Sequence, residues 1–199
     1  MPIGTRSLLF GVHQVLVHPW FVAAAWWKLY GFPWDPRLWV AFLVHDWGYW
    51  GKSNMDGPEG ERHPELGADI MRRLFDRPGG GFEGLSWYGL MLFHSRFYAK
   101  SIPTRPSKLC FADKLSFALT PNWLYIPLAR LSGEIQEYRQ GQAGRTAAVN
   151  LENDWEWHDR VEAYIRSWIR THIDGREDTW TEFHGLTERD EALVESASH

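Results

Sequence analysis

The chain of 199 residues contains a single cysteine, Cys110. An internal disulfide is therefore excluded, and the composition fits a reducing compartment, for which we expect the cytoplasm. The formal net charge is −4, without the positive excess of a protein that binds extended nucleic acid. The apolar stretch after Arg6 is interrupted at His13 and His18 and is too short to span a membrane. We therefore expect neither a nucleic-acid surface nor a membrane span.

Tryptophan, in contrast, is unusually frequent, with 13 residues in the chain. Indole rings bury a large apolar area, so we expect most of them to fill the core. The Trp-rich N-terminal half also leaves open an interface between two copies of the chain, so a homodimer is a further expectation.

Apolar residues recur at helical rather than alternating spacing along nearly the whole chain, which predicts an all-α fold. We expect one helical domain over residues 1–172 and a polar tail or short helix over 173–199. Capping residues, prolines and glycines mark the ends of the elements. Helices are predicted over 5–17, 19–30, 35–46, 63–75, 86–94, 106–119, 122–140 and 145–172, with a polar loop at 51–62 and glycine-rich connections at 78–81 and 141–144.

Several His and Asp residues close apolar runs. Examples are His45 and Asp46 after Phe-Leu-Val, His94 after Leu-Met-Leu-Phe, and Asp113 after Cys-Phe-Ala. In an interior, each polar group would be costly unless it had a partner, and a shared metal ion would satisfy all of them together. The complete ordered series is His18, His45, Asp46, His63, His94 and Asp113.

His13 is an alternative to His18 as the first member of this series. The two residues are five apart, so they would face different sides of a continuous helix. His18 and His63 are each followed directly by proline. We therefore expect both at helix N-termini, where the local field favours the neutral, ligating form of imidazole.

The series resembles the HD-domain metal-dependent phosphohydrolase superfamily. The resemblance covers about residues 15–120 and includes the segments His18-Pro-Trp-Phe-Val-Ala, Phe-Leu-Val-His45-Asp46-Trp-Gly, His63-Pro-Glu-Leu-Gly-Ala and Ala-Asp113-Lys114-Leu-Ser. It implies a single-domain, HD-type helical bundle with a central metal site. It also implies that His18, His45, Asp46 and Asp113 hold one ion. His63 and His94 would then help to hold a second ion, with Asp46 as the bridge.

These ligands, without thiolate, suit two divalent ions, iron or manganese first, with zinc, nickel, cobalt and magnesium as alternatives. The resemblance implies that a metal-bound hydroxide cleaves a phosphoester or phosphoanhydride of a small nucleotide. Phosphate also needs cationic partners. The predicted catalytic residues are Asp46, Lys114 and Arg96, and the predicted substrate-binding residues are Arg96, Lys100, Lys52 and Lys114.

Two other functions remain alternatives. One is a di-iron oxygenase of the HD type that cleaves a small organic or phosphonate substrate, because the same six ligands serve that chemistry. The other is a non-catalytic HD-fold regulatory module. Cyclic-di-GMP is disfavoured as a substrate because Ser95 follows His94, where the HD-GYP branch has a second histidine, and Tyr49 replaces its lysine.

The remaining aromatic and histidine residues have simpler interpretations. The aromatic residues that flank the ligands could either stack a nucleobase or fill the core; they are Trp47, Tyr49, Trp50, Phe97 and Tyr98. His158 and His172 are predicted to lie on the solvated face of the last helix.

Overall fold

The computed structural model describes residues 1–77, 81–145 and 153–173, with 141–145 described by their backbone alone. Over these residues the fold is all-α, as predicted, with two 3-10 turns at Trp47–Tyr49 and Gly60–Arg62 and no strand. The helices are α1 (Ile3–Phe10), α2 (His18–Tyr30), α3 (Pro36–Val44), α4 (Pro64–Phe75), α5 (Trp87–Leu92), α6 (Arg96–Ser101), α7 (Lys108–Leu119), α8 (Asn122–Ser132), α9 (Glu134–Arg145) and α10 (Asp154–His172).

Side-chain caps explain where several helices begin. Asp35 accepts a hydrogen bond from the backbone N–H of Arg37 at 2.9 Å at the start of α3. Ser86 accepts one from the N–H of Gly89 at 2.9 Å at the start of α5. Such caps satisfy backbone donors that have no partner within the helix. Both caps were readable from the sequence.

Several predicted boundaries are wrong, among them the start of the last helix, which begins at Asp154 after the extended backbone of Asn153 rather than at residue 145. The first helix ends at Phe10 rather than residue 17, because Gly11 has an extended backbone. The predicted helix 122–140 is broken at Gly133, whose φ of 89° ends α8 in the left-handed conformation. α9 then continues to Arg145, through the predicted connection at 141–144. The structure also contains α6, which was not predicted and which Ser95 caps.

The predicted connection at 78–80 and the tail beyond Ile173 lie outside the described residues. Within the described ranges, no helix combines the length and apolar character needed to cross a membrane.

The main core lies between α2, α3, α4, α5, α7 and α10. α7 and α10 are antiparallel neighbours, because Phe111 stacks on Trp168 at 5.0 Å while Phe117 stacks on His158 at 4.6 Å. This arrangement places Phe111 and Phe117 of α7 against α10.

Tryptophan does not fill the core to the extent expected. Trp26, Trp87, Trp157 and Trp168 are buried. A larger group is exposed, consisting of Trp20, Trp27, Trp34, Trp47, Trp50, Trp123 and Trp155. Helices such as α2 carry indole rings on opposite faces, so only some of those rings can reach the core.

The prediction that His158 and His172 face solvent is also wrong, since both are buried. The ring of His158 stacks on Phe117, and that of His172 stacks on Trp168 at 5.2 Å. The Nδ1 atom of His172 also lies 2.9 Å from the Trp168 carbonyl oxygen. Burial lowers the pKa of His158, so it packs as a neutral aromatic ring.

Adjacent tryptophans on α2 provide a test of this packing. Trp26 is 3% exposed and Trp27 is 61% exposed. Trp26→Ala should lower the free energy of unfolding by about 3–5 kcal/mol, because it empties a core site. Trp27→Ala should change it by less than about 1 kcal/mol. Urea denaturation followed by circular dichroism measures both, and equal losses would contradict this helix orientation.

Candidate metal centre

Five segments bring the six predicted ligands together. His18 is the first residue of α2 and His63 precedes the first residue of α4, so both lie at helix N-termini as expected. His45 is the C-cap residue directly after α3, and Asp46 follows it. The remaining two ligands are His94, just after α5, and Asp113, in the middle of α7.

Two glycines allow these segments to approach each other. A Cβ atom on Gly48 would lie 1.9 Å from the carbonyl oxygen of His63, so only glycine fits beside that backbone. A Cβ atom on Gly67 would lie 2.8 Å from the carbonyl oxygen of Val44. Because both residues lack a side chain, the start of α4 can pack directly against the segment that carries His45 and Asp46.

The first group of potential ligands surrounds one oxygen of Asp46. Asp46 Oδ2 lies 3.3 Å from His18 Nε2 and 3.1 Å from His45 Nε2. Asp113 Oδ1 lies 3.3 Å and 3.6 Å from the same two nitrogens. These four residues can offer their atoms to a single ion.

The second group uses the other oxygen of the same carboxylate. Asp46 Oδ1 lies 3.7 Å from His63 Nε2 and 3.8 Å from His94 Nε2, and the two nitrogens are 3.0 Å apart. Asp46, His63 and His94 therefore form a second potential metal site. Because each oxygen of Asp46 faces a different group, its carboxylate is placed to bridge two ions.

Backbone carbonyl groups orient three of the imidazoles. The Nδ1 atoms of His45, His63 and His94 lie 2.9, 2.7 and 2.5 Å from the carbonyl oxygens of Phe42, Gly60 and Met91. A carbonyl oxygen can only accept a hydrogen bond, so each Nδ1 donates and leaves Nε2 to face the cluster. Metal-binding histidines commonly have such a partner on the other nitrogen.

The charges of the site call for a cation. Burial alone would raise the pKa of Asp46, but His45 and His13 hold it well below its usual range. The pKa of Asp113 is also held low against burial, mainly by Lys114. Against the effect of burial, the charge of Asp46 and Asp113 raises the pKa of His45 to about 10. A divalent ion would supply the positive charge that a proton on His45 otherwise provides.

The donor atoms fit this role. His18 Nε2, His45 Nε2 and Asp46 Oδ2 are buried and lack hydrogen-bond partners among the described residues. Neighbouring atoms bound about 2.0–2.2 Å from one ion at tetrahedral or octahedral angles lie roughly 2.8–3.6 Å apart. The first group has this spacing. Burial, followed by the neighbouring His94, lowers the pKa of His63 well below its usual range, so His63 is neutral and able to ligate.

His13, the alternative first ligand, lies beside the cluster but outside both groups. Its Nδ1 is 3.0 Å from Glu134 Oε2 and 2.9 Å from Ser7 Oγ. Its ring packs edge-on against His18, with 5.3 Å between the centroids. The structure therefore selects His18 for the ligand cluster and gives His13 a supporting position.

A cavity of about 250 Å³ opens beside the cluster. His18, His63, His94 and Asp113 line it, together with Arg96, Lys100 and Lys114. Three of the four predicted substrate-binding cations are thus grouped at the ligands. The fourth, Lys52, is absent from this lining.

The cavity also includes residues that sequence reasoning missed. Asp56 lines its wall, and Glu134, the buried first residue of α9, does not line it but forms a hydrogen bond with His13. Trp157 and Tyr164, from α10, line it too. Their spacing of seven residues places them on one face of that helix, but the sequence does not reveal which helix that face meets.

The flanking aromatic residues divide between several roles. Tyr49 lines the cavity and stacks on His63 at 4.0 Å, and Phe97 also lines it. Tyr98 is buried, and its hydroxyl donates to Glu65. Trp47 and Trp50 are exposed and absent from the lining.

Three comparisons with known proteins found no match. No family model, no curated protein and no solved structure matches the chain. The interpretation of the site therefore depends on its own geometry.

Removing the shared carboxylate should abolish metal binding. We expect about two ions per chain in protein purified without oxygen, and almost none in Asp46→Ala, because both groups lose a ligand. Elemental analysis of folded protein, checked by circular dichroism, measures this. Asp69→Ala, the same change on the surface of α4, should retain both ions. Full metal content in Asp46→Ala would show that the cluster does not bind metal.

A change in the second group should remove one ion only. His63→Ala leaves the four residues of the first group intact, so we expect the metal content to fall from about two to about one. His172→Ala removes another buried imidazole and should leave the content unchanged. Two ions retained in His63→Ala would refute the two-ion arrangement.

Proposed function

We propose that the protein is a metal-dependent phosphohydrolase of the HD type that cleaves a phosphoester or phosphoanhydride of a compact molecule, such as a mononucleotide. The main support is that Asp46 joins two ligand groups beside a cavity lined with cations. Phosphoryl transfer depends on positioning and on neutralising negative charge at the phosphoryl oxygens. This arrangement can supply both.

Two divalent ions held by these groups would act as Lewis acids and provide an acidified water at neutral pH. The residues of the chain orient and confine the substrate. Asp46 and Asp113 would hold the ions at one end of the cavity. Backbone carbonyl groups accept from the Nδ1 atoms of His45, His63 and His94 and so keep their Nε2 atoms directed towards that end.

Arg96 is placed to hold a phosphoryl group in one orientation. Its Nη2 atom donates to the hydroxyl of Tyr164 at 3.0 Å, and its guanidinium lies 4.4 Å over the ring of Trp168. These contacts restrict a long side chain, so less conformational entropy is lost when it binds an anion. A planar guanidinium can also bind two phosphate oxygens at once.

The two lysines have different positions. Lys114 Nζ donates to Asp113 Oδ2 at 3.1 Å, so it secures a ligand while adding positive charge to the cavity wall. Lys100 lines the same cavity and has no ion-pair partner among the described residues. Lys100 therefore has its positive charge available for an anionic substrate.

Hydrolysis of phosphoesters in the absence of oxygen tests this function, with p-nitrophenol or phosphate measured according to the substrate. Protein loaded with Mn²⁺ or Fe²⁺ is assayed anaerobically with p-nitrophenyl phosphate, its diester and mononucleotides. We expect turnover that requires metal and is lost in Asp46→Ala. Arg96→Ala should reduce kcat/KM by about 100-fold, as expected for loss of a group that stabilises developing charge.

Lys28→Ala provides the control, because Lys28 is exposed on α2 and absent from the cavity lining. Its kcat/KM should match that of the wild type. Oxygen consumption that depends on both iron and a small organic or phosphonate substrate, without hydrolysis of any phosphoester probe, would instead support the oxygenase. A metal-loaded protein inactive in both assays would favour a regulatory module.

A further inference from the structure

The cavity changes character along its length. On α7, its lining includes Asp113, Ser116, Phe117 and Thr120. These positions share one helical face, and Asp113 and Thr120 are separated by about 10 Å of helix at 1.5 Å per residue. The cavity therefore extends from the ligand cluster for about two turns along α7.

α10 forms the opposite wall of the cavity and also runs from the metal centre to the far end. Tyr164 contacts Arg96 at the cationic end. Trp157 lies two turns earlier on the same helical face and lines the cavity beyond the metal centre. Because α7 and α10 are antiparallel, Trp157 lies on the side of Phe117 and Thr120. The end of the cavity near Trp157 is therefore separate from the cationic end.

Aromatic rings dominate this second end. Phe117 and Tyr125 contact edge to face at 4.6 Å, and the ring of Trp157 lies 6.1 Å from Phe117. Tyr138 is parallel to Trp157 at 6.4 Å. Flat aromatic groups pack favourably against such walls. This end consequently suits a flat apolar group better than a sugar alone or a second phosphate.

Three hydroxyl groups near this end already donate hydrogen bonds within the protein. Ser116 donates to the Asp113 carbonyl group, Thr120 to the Ser116 carbonyl group and Tyr138 to Glu134. The indole nitrogen of Trp157 is enclosed by the protein, so Trp157 offers a ligand apolar contact rather than a hydrogen bond.

The volume limits the size of that ligand. A cavity of about 150 Å³ accommodates benzene, whereas drug-sized ligands occupy about 300–1,000 Å³. The cavity of about 250 Å³ therefore accommodates one ring system and one phosphoryl group. Two nucleotides joined by a phosphate chain would exceed it.

We propose that the organic part of the substrate is a single flat aromatic ring system that packs against Trp157 and Phe117 at the aromatic end of the cavity. The assignment rests on the proposed function for the phosphoryl group at the opposite end. The aromatic end would then select among phosphorylated molecules by the shape and polarity of their organic part.

Non-hydrolysable phosphonates test the proposal by binding alone. Methylphosphonate and phenylphosphonate share the anionic head group and differ in the ring, so titration calorimetry on metal-loaded protein isolates the aromatic contribution. Burial of a phenyl ring should tighten binding by about 10- to 100-fold. Equal affinities would refute the aromatic subsite.

Filling the subsite should remove this gain without emptying the core. Val161 lines the same end and is partly buried. Val161→Phe should bring phenylphosphonate to within about twofold of methylphosphonate, while methylphosphonate binding stays unchanged. Trp155→Ala, an exposed tryptophan on the same helix that is absent from the lining, should retain the full gain. A full gain in Val161→Phe would refute the location.

These outcomes are separable from failure of the proposed function. Absence of metal-dependent methylphosphonate and orthophosphate binding would count against a phosphoryl site. Head-group binding without a ring effect would leave the phosphohydrolase function standing and reject the aromatic subsite.

Discussion

The buried carboxylate of Asp46 is the constraint on which the centre depends. It is ionised, almost completely enclosed, and within 3.8 Å of four imidazole nitrogens. Such a charge is tolerated only when opposite charge and hydrogen-bond donors surround it. Every segment that reaches the centre contributes to meeting that requirement, from the start of α2 to the middle of α7. The division of its two oxygens between two histidine pairs makes the cluster a candidate for two ions rather than one.

The helical scaffold maintains this geometry through backbone contacts as much as through side chains. Gly48 and Gly67 allow the start of α4 to lie directly against the end of α3. Carbonyl groups three residues before His45, His63 and His94 then set the orientation of each ring. The ligands are therefore held before any ion binds, which reduces the conformational entropy lost on binding. The same rigidity keeps the Nε2 atoms directed towards the cavity.

Charge and packing assign different tasks to the two ends of the cavity. Arg96, Lys100 and Lys114 line the same cavity as four of the ligands, whereas aromatic rings from α7, α8, α9 and α10 enclose the far end. An anionic group is attracted to the first end and a flat apolar group to the second. Specificity would then come from the far end, since many phosphorylated molecules share the head group.

The sequence by itself determined the helical class and the ordered ligands, because helical periodicity and polar residues that close apolar runs are local signals. Asp35 and Ser86 as caps belong to the same kind of information. Only the tertiary structure shows that His13, the alternative to His18, pairs with Glu134, more than 100 residues away, and lies outside both ligand groups. It also decided the burial of His158 and His172 and the presence of Trp157 in the cavity. Those outcomes depend on which faces of α7 and α10 meet, and periodicity cannot identify the partner of a face.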